Sequence, residues 1–378
     1  MNILVAPSSF KESLDAPQVA KNIGIGLQKA SSQYNVTELP LADGGSGTVA
    51  VLTAAYKGEY VTCRVCGPLG TAVNAVYGWV PQRRLAIIEL AQAAGLALVP
   101  PDKRNPCVTT THGVGELIVD AANRGSKRII LGVGDSATID CGVGALTRLG
   151  IQYVDKHSCA VAPSCHGLIA LRRIDDSHRL SWIKSIDFTV AADVQNVLTG
   201  TKGAIMYARQ KGATRAMIPV ITRALRNFKK VVLMQYNIDV DTIPGTGAAG
   251  GIPAAFCAVL GARLEQGFER IKAAVKLEQA VKRADVVITG EGRIDRQSRY
   301  GKVVGGVIEL CNLCDKPVII IAGYIRRNAL PARRRRIVAS YSLVSKRVSR
   351  LYAVRNTDVL LQQAGWKCGQ SLKSMSLP

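Results

Sequence analysis

Short apolar runs recur at both ends of the chain, each followed by a polar or Gly-rich loop and a helical pattern. NILVAPSS leads into a helical pattern that starts near Ser13, the expected N-cap, and VTELPL leads through ADGGSGT into TVAVLTAAYKG. From Ala284 apolar runs followed by polar or Gly-rich loops recur in DVVITGEG, PVIIIAG and IVASYSL. Strand–loop–helix alternation is typical of parallel α/β sheets. The pattern therefore predicts a Rossmann- or flavodoxin-like parallel-sheet domain formed by both chain ends.

The middle of the chain has a different pattern. VTCRVCG, VNAVYGWV and RLAIIELA are strand-like runs joined by Gly and Pro turns with no helix between them, which favours antiparallel pairing. RIILGVG and IDFTVAADVQN then end again in polar loops. We therefore expect two α/β domains. Residues 1–60 and 284–378 form the discontinuous parallel domain, and residues 61–283 form an inserted mixed α/β domain.

Composition narrows the class of protein. The chain has 378 residues, 48% of them apolar and 20% charged, which is a globular composition. Its apolar runs fall short of the roughly 20 residues of a membrane span, and its N-terminus lacks the basic region of a signal peptide. We expect a cytoplasmic protein without a membrane partner.

The formal net charge is +22, and the basic excess is densest late in the chain, at Arg326, Arg327 and residues 333–336. Basic segments occur in nucleic-acid-binding proteins, but no aromatic residues interleave with this one. A solvated basic surface is therefore the favoured interpretation, and a nucleic-acid partner is not expected.

The ten cysteines are scattered, and reduced thiols are the expectation. Two CxxC spacings and one Cys/His group raise the alternative of a structural zinc site. They are Cys63/Cys66, Cys311/Cys314, and His157, Cys159, Cys165 and His166. Positions three apart face opposite sides of a strand, whereas in a helix they share one face. Ordinary strand and helix positions therefore remain the favoured interpretation.

Seven polar loops are expected at the carboxyl ends of strands or at helix starts, where open α/β sheets bind ligands. They are residues 7–13, 42–48, 132–140, 191–196, 210–214, 244–251 and 288–295. Gly-rich loops that open helices present backbone N–H groups to phosphate. None of them matches the P-loop or the dinucleotide pattern, but together they favour phosphate binding.

Four carboxylates and four cations lie in or near these loops. The acids are Asp43, Asp193, Glu291 and Asp295, and the cations are Lys11, Lys211, Arg293 and Lys302. Mg²⁺ beside phosphate takes one or two carboxylates plus waters, so these acids suit a metal–nucleotide site. Helix capping remains the alternative for Asp43, because a helix follows it. Glu291 lies between two glycines, which permit close approach of a ligand.

Nine motifs follow one another over about residues 1–325. They are SFKES, ADGGSGT, GPLG, DKRNP, THGVGELI, SATID, QKGAT, PGTGAAGG and ITGEGRID. Taken together and in this order, they resemble the bacterial glycerate kinases of the type that forms 2-phosphoglycerate. The resemblance implies ATP-dependent phosphorylation of the small molecule D-glycerate by direct phosphoryl transfer with Mg²⁺. It also implies two α/β domains with the active site in the cleft between them.

The resemblance assigns residues to roles. The implied catalytic residues are Lys11, Asp43, Asp193, Glu291 and Asp295, with Glu291 and Asp193 as Mg²⁺ ligands. The implied substrate- and phosphate-binding residues are Arg293, Lys211, Gly44, Gly45, Ser136, Thr138, Gly247, Gly250, Gly290, Gly292 and Lys302. Asp43 is an alternative metal ligand. Either Asp43 or Asp295 would accept the hydroxyl proton, and either Arg293 or Lys11 would bind the substrate carboxylate.

Several positions depart from the family pattern, among them the following four. Ser8 replaces Asp, Ser46 replaces Glu, Asp135 replaces Gly, and Gln195 replaces Asp or Thr. The departures leave a second hypothesis, a catalytically impaired homologue that retains nucleotide binding. A nucleic-acid-binding protein that uses the basic tail is a distant third. The sequence is compatible with a homo-oligomer.

Overall fold

The computed structural model describes residues 1–295, 303–326, 329 and 336–374. Contacts divide the chain into two compact units. The terminal unit comprises residues 1–43 and 268–378, and the middle unit comprises residues 44–267. Each unit contains a sheet with helices, so the expected α/β class is confirmed. The domain limits expected from the sequence, residues 60/61 and 283/284, stay a prediction.

The strands are numbered in chain order. They are β1 (Asn2–Val5), β2 (Asn35–Glu38), β3 (Glu59–Cys66), β4 (Ala72–Val80), β5 (Leu85–Glu89), β6 (Arg128–Gly132), β7 (Gln152–Val154), β8 (Arg173–Asp175), β9 (Asp187–Ala191), β10 (Arg263–Glu265), β11 (Val286–Thr289), β12 (Arg293–Ile294), β13 (Val318–Ala322), β14 (Tyr324–Ile325) and β15 (Ile337–Ser342).

The α-helices are numbered in the same way. They are α1 (Ala16–Ala30), α2 (Thr48–Ala55), α3 (Ala91–Ala94), α4 (His112–Asn123), α5 (Val143–Arg148), α6 (Cys165–Leu168), α7 (Met217–Tyr236), α8 (Ile252–Leu260), α9 (Gly267–Ala274), α10 (Leu277–Arg283), α11 (Val303–Leu313), α12 (Arg350–Arg355) and α13 (Thr357–Ser374).

The sheet of the terminal unit has strand order β15-β13-β11-β1-β2, and all of its pairings are parallel. Its central strands VVIT and VIIIA are buried along their whole length, as continuous apolar strands are when both faces of a parallel sheet are covered. A short parallel pair, β12 and β14, follows β11 and β13. The parallel domain expected from both chain ends is therefore present as this sheet.

Helices α1 and α13 pack closely in the terminal unit. A Cβ on Gly26 would lie 2.1 Å from the carbonyl oxygen of Gln362, so glycine is required for this approach. The expectation that Ser13 caps α1 is wrong. Asp15 is the N-cap, and its carboxylate accepts a hydrogen bond from the Gln18 amide at 2.8 Å. Ser13 instead donates its hydroxyl to the Val354 carbonyl oxygen at 3.0 Å.

The middle unit contains a mixed sheet with strand order β10-β9-β6-β5-β4-β3. Strands β3, β4 and β5 pair antiparallel, as the Gly and Pro turns between these runs predicted. Strands β5, β6, β9 and β10 pair parallel. Helix α2 packs on β4 and β5, so it belongs to this unit rather than to the terminal one. The parallel strands place the loops after β5, β6 and β9 at one edge of the sheet.

The cysteine motifs do not form a metal site in the structure. All ten cysteines are free thiols. Among residues 1–295, 303–326, 329 and 336–374, no group of three or more His, Cys, Asp or Glu side chains could hold a metal ion. Within the same ranges, no helix is long and apolar enough to span a bilayer.

Candidate functional site

Lys211 joins two of the predicted phosphate-binding residues in the middle unit. Its side chain is only 6% exposed, and its Nζ donates to Ser136 Oγ at 2.6 Å and to the Thr138 carbonyl oxygen at 2.8 Å. The pKa of Lys211 is lowered from 10.5 to about 7. Burial is the main cause, and the charge of nearby Asp140 opposes it. The sequence motifs QKGAT and SATID therefore meet through one ammonium group, which holds the loop after β6.

Asp140, near the end of the same loop, is fully buried. Its carboxylate accepts hydrogen bonds from the Thr111 hydroxyl at 2.7 Å, from the Thr111 amide at 2.9 Å, and from the amides of Gly142 and Gly144 at 3.1 and 3.3 Å. The pKa of Asp140 is raised above its usual value, because burial raises it more than these hydrogen bonds lower it. Asp140 therefore caps α5 and ties Thr111 to it. The sequence reasoning missed Thr111.

The loop that contains Gly44 and Gly45 packs against the carboxyl ends of β6 and β9. Gly44 has φ +85°, and a Cβ there would lie 2.8 Å from the Ala191 carbonyl oxygen. A Cβ on Gly134 would lie 2.3 Å from the Cα of Gly45. Glycine is therefore required on both sides of this approach, which explains why the two Gly-rich motifs occur together. Asp43, half-buried, directly precedes the loop.

Two carboxylates hold the same loop. Glu89, at the end of β5, is 4% exposed and accepts the Val49 amide at 2.8 Å. Asp135 Oδ2 accepts the Ser46 hydroxyl at 2.8 Å. Burial raises the pKa of Glu89, hydrogen bonds from Val49, Gly47 and Gln92 lower it, and the charge of Asp135 raises it further. The sequence reasoning missed Glu89, although an acid that ends a buried strand, IIE, was a usable signal.

The third Gly-rich loop, residues 244–251, opens α8. The Gly247 amide donates to the Asn196 carbonyl oxygen at 2.8 Å, which links this loop to the one after β9. Gly250 has φ +75°, and a Cβ there would lie 2.1 Å from the Thr138 carbonyl oxygen. Helix α8 starts after Gly251 without a side-chain cap. The N-termini of α2 and α5, by contrast, already face the carboxylates of Glu89 and Asp140.

Asp193 lies in the loop after β9 and is half-buried. Gln195, two residues later, is exposed. The next residue, Asn196, accepts the Tyr207 hydroxyl at 2.8 Å and donates to the Lys202 carbonyl oxygen at 2.5 Å. Side-chain hydrogen bonds therefore shape this loop at Asn196 rather than at Gln195.

In the terminal unit, the Gly290–Asp295 loop lies between the loops that follow β1 and β13. The Gly290 carbonyl oxygen accepts the Ser8 amide at 2.8 Å, and a Cβ on Gly290 would lie 1.7 Å from the Ile321 carbonyl oxygen. The Gly292 carbonyl oxygen accepts the Tyr324 amide at 3.0 Å. Ser8 thus contributes to this loop through its backbone N–H, which any residue type other than proline supplies at position 8.

This loop brings several predicted side chains into one unit. A Cβ on Gly292 would lie 3.2 Å from the Lys11 amide nitrogen, so the loop with Lys11 packs directly on it. Glu291 is half-buried, and Arg293 Nε lies 3.6 Å from Asp295 Oδ2. Lys302 lies outside the described residues. The two predicted Mg²⁺ ligands, Glu291 and Asp193, belong to different units. The roles assigned to all of these residues stay predictions.

Comparison with known proteins places this geometry in a family. The model of the glycerate kinase family matches residues 3–373. This chain belongs to the glycerate kinase family. The resemblance found in the motifs is thereby confirmed, and the match extends beyond residue 325, where the motif resemblance fades, into the C-terminal helices.

Individual family members are similar over nearly the whole chain. A glycerate kinase of Halalkalibacterium halodurans is 42% identical over 363 residues, which cover 96% of each chain. A glycerate 2-kinase of Escherichia coli (strain K12) is 41% identical, with 91% of each chain covered. A crystal structure described as a glycerate kinase 2 from Salmonella typhimurium LT2 has a TM-score of 0.82 and 39% identity, covering 99% of this chain and 98% of its own.

Proposed function

We propose that this protein catalyses the ATP-dependent phosphorylation of D-glycerate to 2-phosphoglycerate by direct phosphoryl transfer with Mg²⁺. The observation that carries the proposal is the likeness, over 91% of each chain, to a protein named glycerate 2-kinase. Two groups of hydrogen-bonded loops support it, one around Lys211 and the other around Gly290–Asp295. In such reactions the protein supplies position and charge stabilisation.

The Gly-rich loops of the middle unit are the proposed phosphate-binding elements. Gly44, Gly45, Gly247 and Gly250 bring backbone close to neighbouring backbone with no side chain in between. Because the N-termini of α2 and α5 already face carboxylates, the proposed phosphate-binding helix start is that of α8, which has no side-chain cap. Lys211 fixes Ser136 and Thr138 beside Gly250.

The residues present fit Mg²⁺. Asp193, Glu291 and Asp43 offer hard carboxylate oxygens from half-buried loop positions, and Mg²⁺ bound with phosphates needs only one or two such ligands. When bound, the ion would neutralise charge on the β- and γ-phosphate oxygens. Glu291 and Asp193 are the proposed ligands, with Asp43 as the alternative.

Glycerate binding and proton removal are assigned to the remaining charged groups. Arg293 is 58% exposed, so its planar guanidinium is available to form a bidentate pair with the substrate carboxylate. Lys11 is the alternative. Asp43 or Asp295 would accept the proton of the attacking hydroxyl, as a carboxylate within hydrogen-bond reach does in general base catalysis.

The test is an assay of the purified protein with D-glycerate, ATP and Mg²⁺, in which ADP release is followed and the product is identified by phosphorus NMR. We expect 2-phosphoglycerate, and loss of turnover with a chelator that added Mg²⁺ restores. A 3-phosphoglycerate product would contradict the proposed position of transfer.

Absence of turnover, with ATP still raising the melting temperature, would favour the catalytically impaired homologue. The nucleic-acid hypothesis rests on a basic segment that lies largely outside the described residues. Within the described part, Arg336 of that segment forms an ion pair with Asp315.

A further inference from the structure

Two of the departures from the family pattern, Ser46 and Asp135, are direct partners in the structure. They lie 89 residues apart in sequence, and the Ser46 hydroxyl donates to Asp135 Oδ2 at 2.8 Å. Ser46 belongs to the loop 44–47 that leads into α2, and Asp135 belongs to the loop that follows β6. One hydrogen bond to a carboxylate therefore links two Gly-rich loops of the middle unit.

The backbone conformation and hydrogen bonding of Asp135 hold its side chain at this contact. Asp135 has φ +56°, in the left-handed region that Asp tolerates better than most residues with a side chain. Its carbonyl oxygen accepts the Leu96 amide at 2.8 Å, which fixes the loop after β6 to the segment that follows α3. The Leu96 hydrogen bond therefore fixes the turn from which the Asp135 carboxylate accepts the Ser46 hydroxyl.

The loop 44–47 has a second attachment on its other side. Gly47 is the N-cap of α2, has φ +97°, and offers no side chain to cap the helix. The buried Glu89 replaces the missing cap by accepting the Val49 amide at 2.8 Å. Because Glu89 and Gly132 are direct neighbours on the paired strands β5 and β6, both attachments arise from adjacent strand ends.

We propose that Ser46 and Asp135 form a clamp that, together with Glu89, fixes the loop 44–47 and so positions Gly44 and Gly45, the glycines proposed to bind phosphate. Asp135 acts here as a positioning residue, not a catalytic one. The role in catalysis rests on the proposed glycerate kinase function. The clamp itself rests only on contacts within the middle unit.

The test is a double-mutant cycle with S46A and D135G. Glycine adopts the backbone conformation of Asp135 without strain, so D135G removes the carboxylate and leaves the turn intact. We expect each single variant to lower kcat on the order of tenfold, with smaller changes in KM, because a lost charge-assisted hydrogen bond is worth about that factor. The double variant should be no worse than either single variant.

Hydrogen exchange of the peptide that spans residues 43–49 is a second readout, independent of activity. S46A and D135G should each raise exchange in this peptide, and the double variant should raise it no further. D135N keeps an oxygen acceptor and tolerates the same backbone, so we expect exchange and kcat close to wild type. As a matched control, Tyr77→Phe removes a hydroxyl–carboxylate hydrogen bond, 2.6 Å long, to Asp120 in the same unit, and should leave exchange at 43–49 unchanged.

The outcomes separate the clamp from the proposed function. A wild type without glycerate turnover would overturn the proposed function, and the exchange cycle would still decide the clamp. Additive effects of S46A and D135G, unchanged exchange at 43–49, or a D135N variant as impaired as D135G would each overturn the clamp. Raised exchange with unchanged kcat would confirm the contact and overturn its role in positioning.

Discussion

Replacing Lys211 with Met removes a charge that the middle unit holds almost entirely away from water. Met matches the length of the Lys chain and keeps its apolar contacts, but it cannot donate to Ser136 or Thr138. The variant therefore loses two hydrogen bonds, each worth about 1 kcal/mol. It also loses the unfavourable burial of an ammonium group, and the balance between these effects changes with pH.

The sign follows from the pKa shift. Burial lowers the pKa of folded Lys211 from 10.5 to about 7, so between these values the unfolded chain binds more protons than the folded one. The free energy of unfolding then increases with pH in this window, by up to about 1.4 kcal/mol per pH unit. Integrated from pH 7 to pH 9, the wild type should gain about 2 kcal/mol relative to Lys211→Met. Below about pH 7 the full penalty is present and the difference levels off.

The assay is urea unfolding at a series of pH values, followed by tryptophan fluorescence. The chain has three tryptophans, Trp79 and Trp182 in the middle unit and Trp366 in the terminal unit. Measurements in a Trp366→Phe background therefore report the middle unit alone. Comparison with Lys211→Met cancels the shared titrating groups that do not interact with Lys211, which leaves Lys211 and the neighbouring Asp140. Parallel stability profiles from pH 6 to pH 9 would refute a buried, shifted Lys211.

Three further substitutions test the remaining site geometry. Glu291→Gln should lower kcat on the order of a hundredfold with little change in melting temperature, because it alters a proposed metal ligand; steady-state kinetics with ATP and D-glycerate check this, and an unchanged kcat excludes the role. Thr138→Val should leave stability unchanged or raise it in thermal unfolding, because the buried Thr138 hydroxyl has no hydrogen-bond partner in the described part of the chain; a raised KM for ATP would show that this hydroxyl binds phosphate. Gly290→Ala should cost about 3 kcal/mol or more, because the added Cβ would lie 1.7 Å from the Ile321 carbonyl oxygen. Gly70→Ala is the matched control: its Cβ would meet no atom within 4 Å, so only the backbone penalty of about 1–2 kcal/mol remains, and equal losses would contradict the steric argument.

The sequence alone determined the class of fold and the location of the candidate loops. Apolar runs such as VVIT and VIIIA, alternating with Gly-rich loops and helical patterns, predicted the parallel sheet of the terminal unit, and the structure contains it. These signals are short-range, because strand burial and loop composition depend on consecutive residues. The antiparallel pairing of β3, β4 and β5 was predictable for the same reason.

Only the tertiary structure decided which residues serve each loop. By residue type, either Ser13 or Asp15 could cap α1. In the structure Ser13 donates to the Val354 carbonyl oxygen, and Asp15 is the N-cap. Thr111 bonds to Asp140 across 29 positions, and Glu89 reaches Val49 across 40. The departures Ser46 and Asp135, read separately, each suggested a lost function, whereas the fold makes them partners. Such pairings depend on which strand ends lie side by side, and local sequence periodicity carries no information about that order.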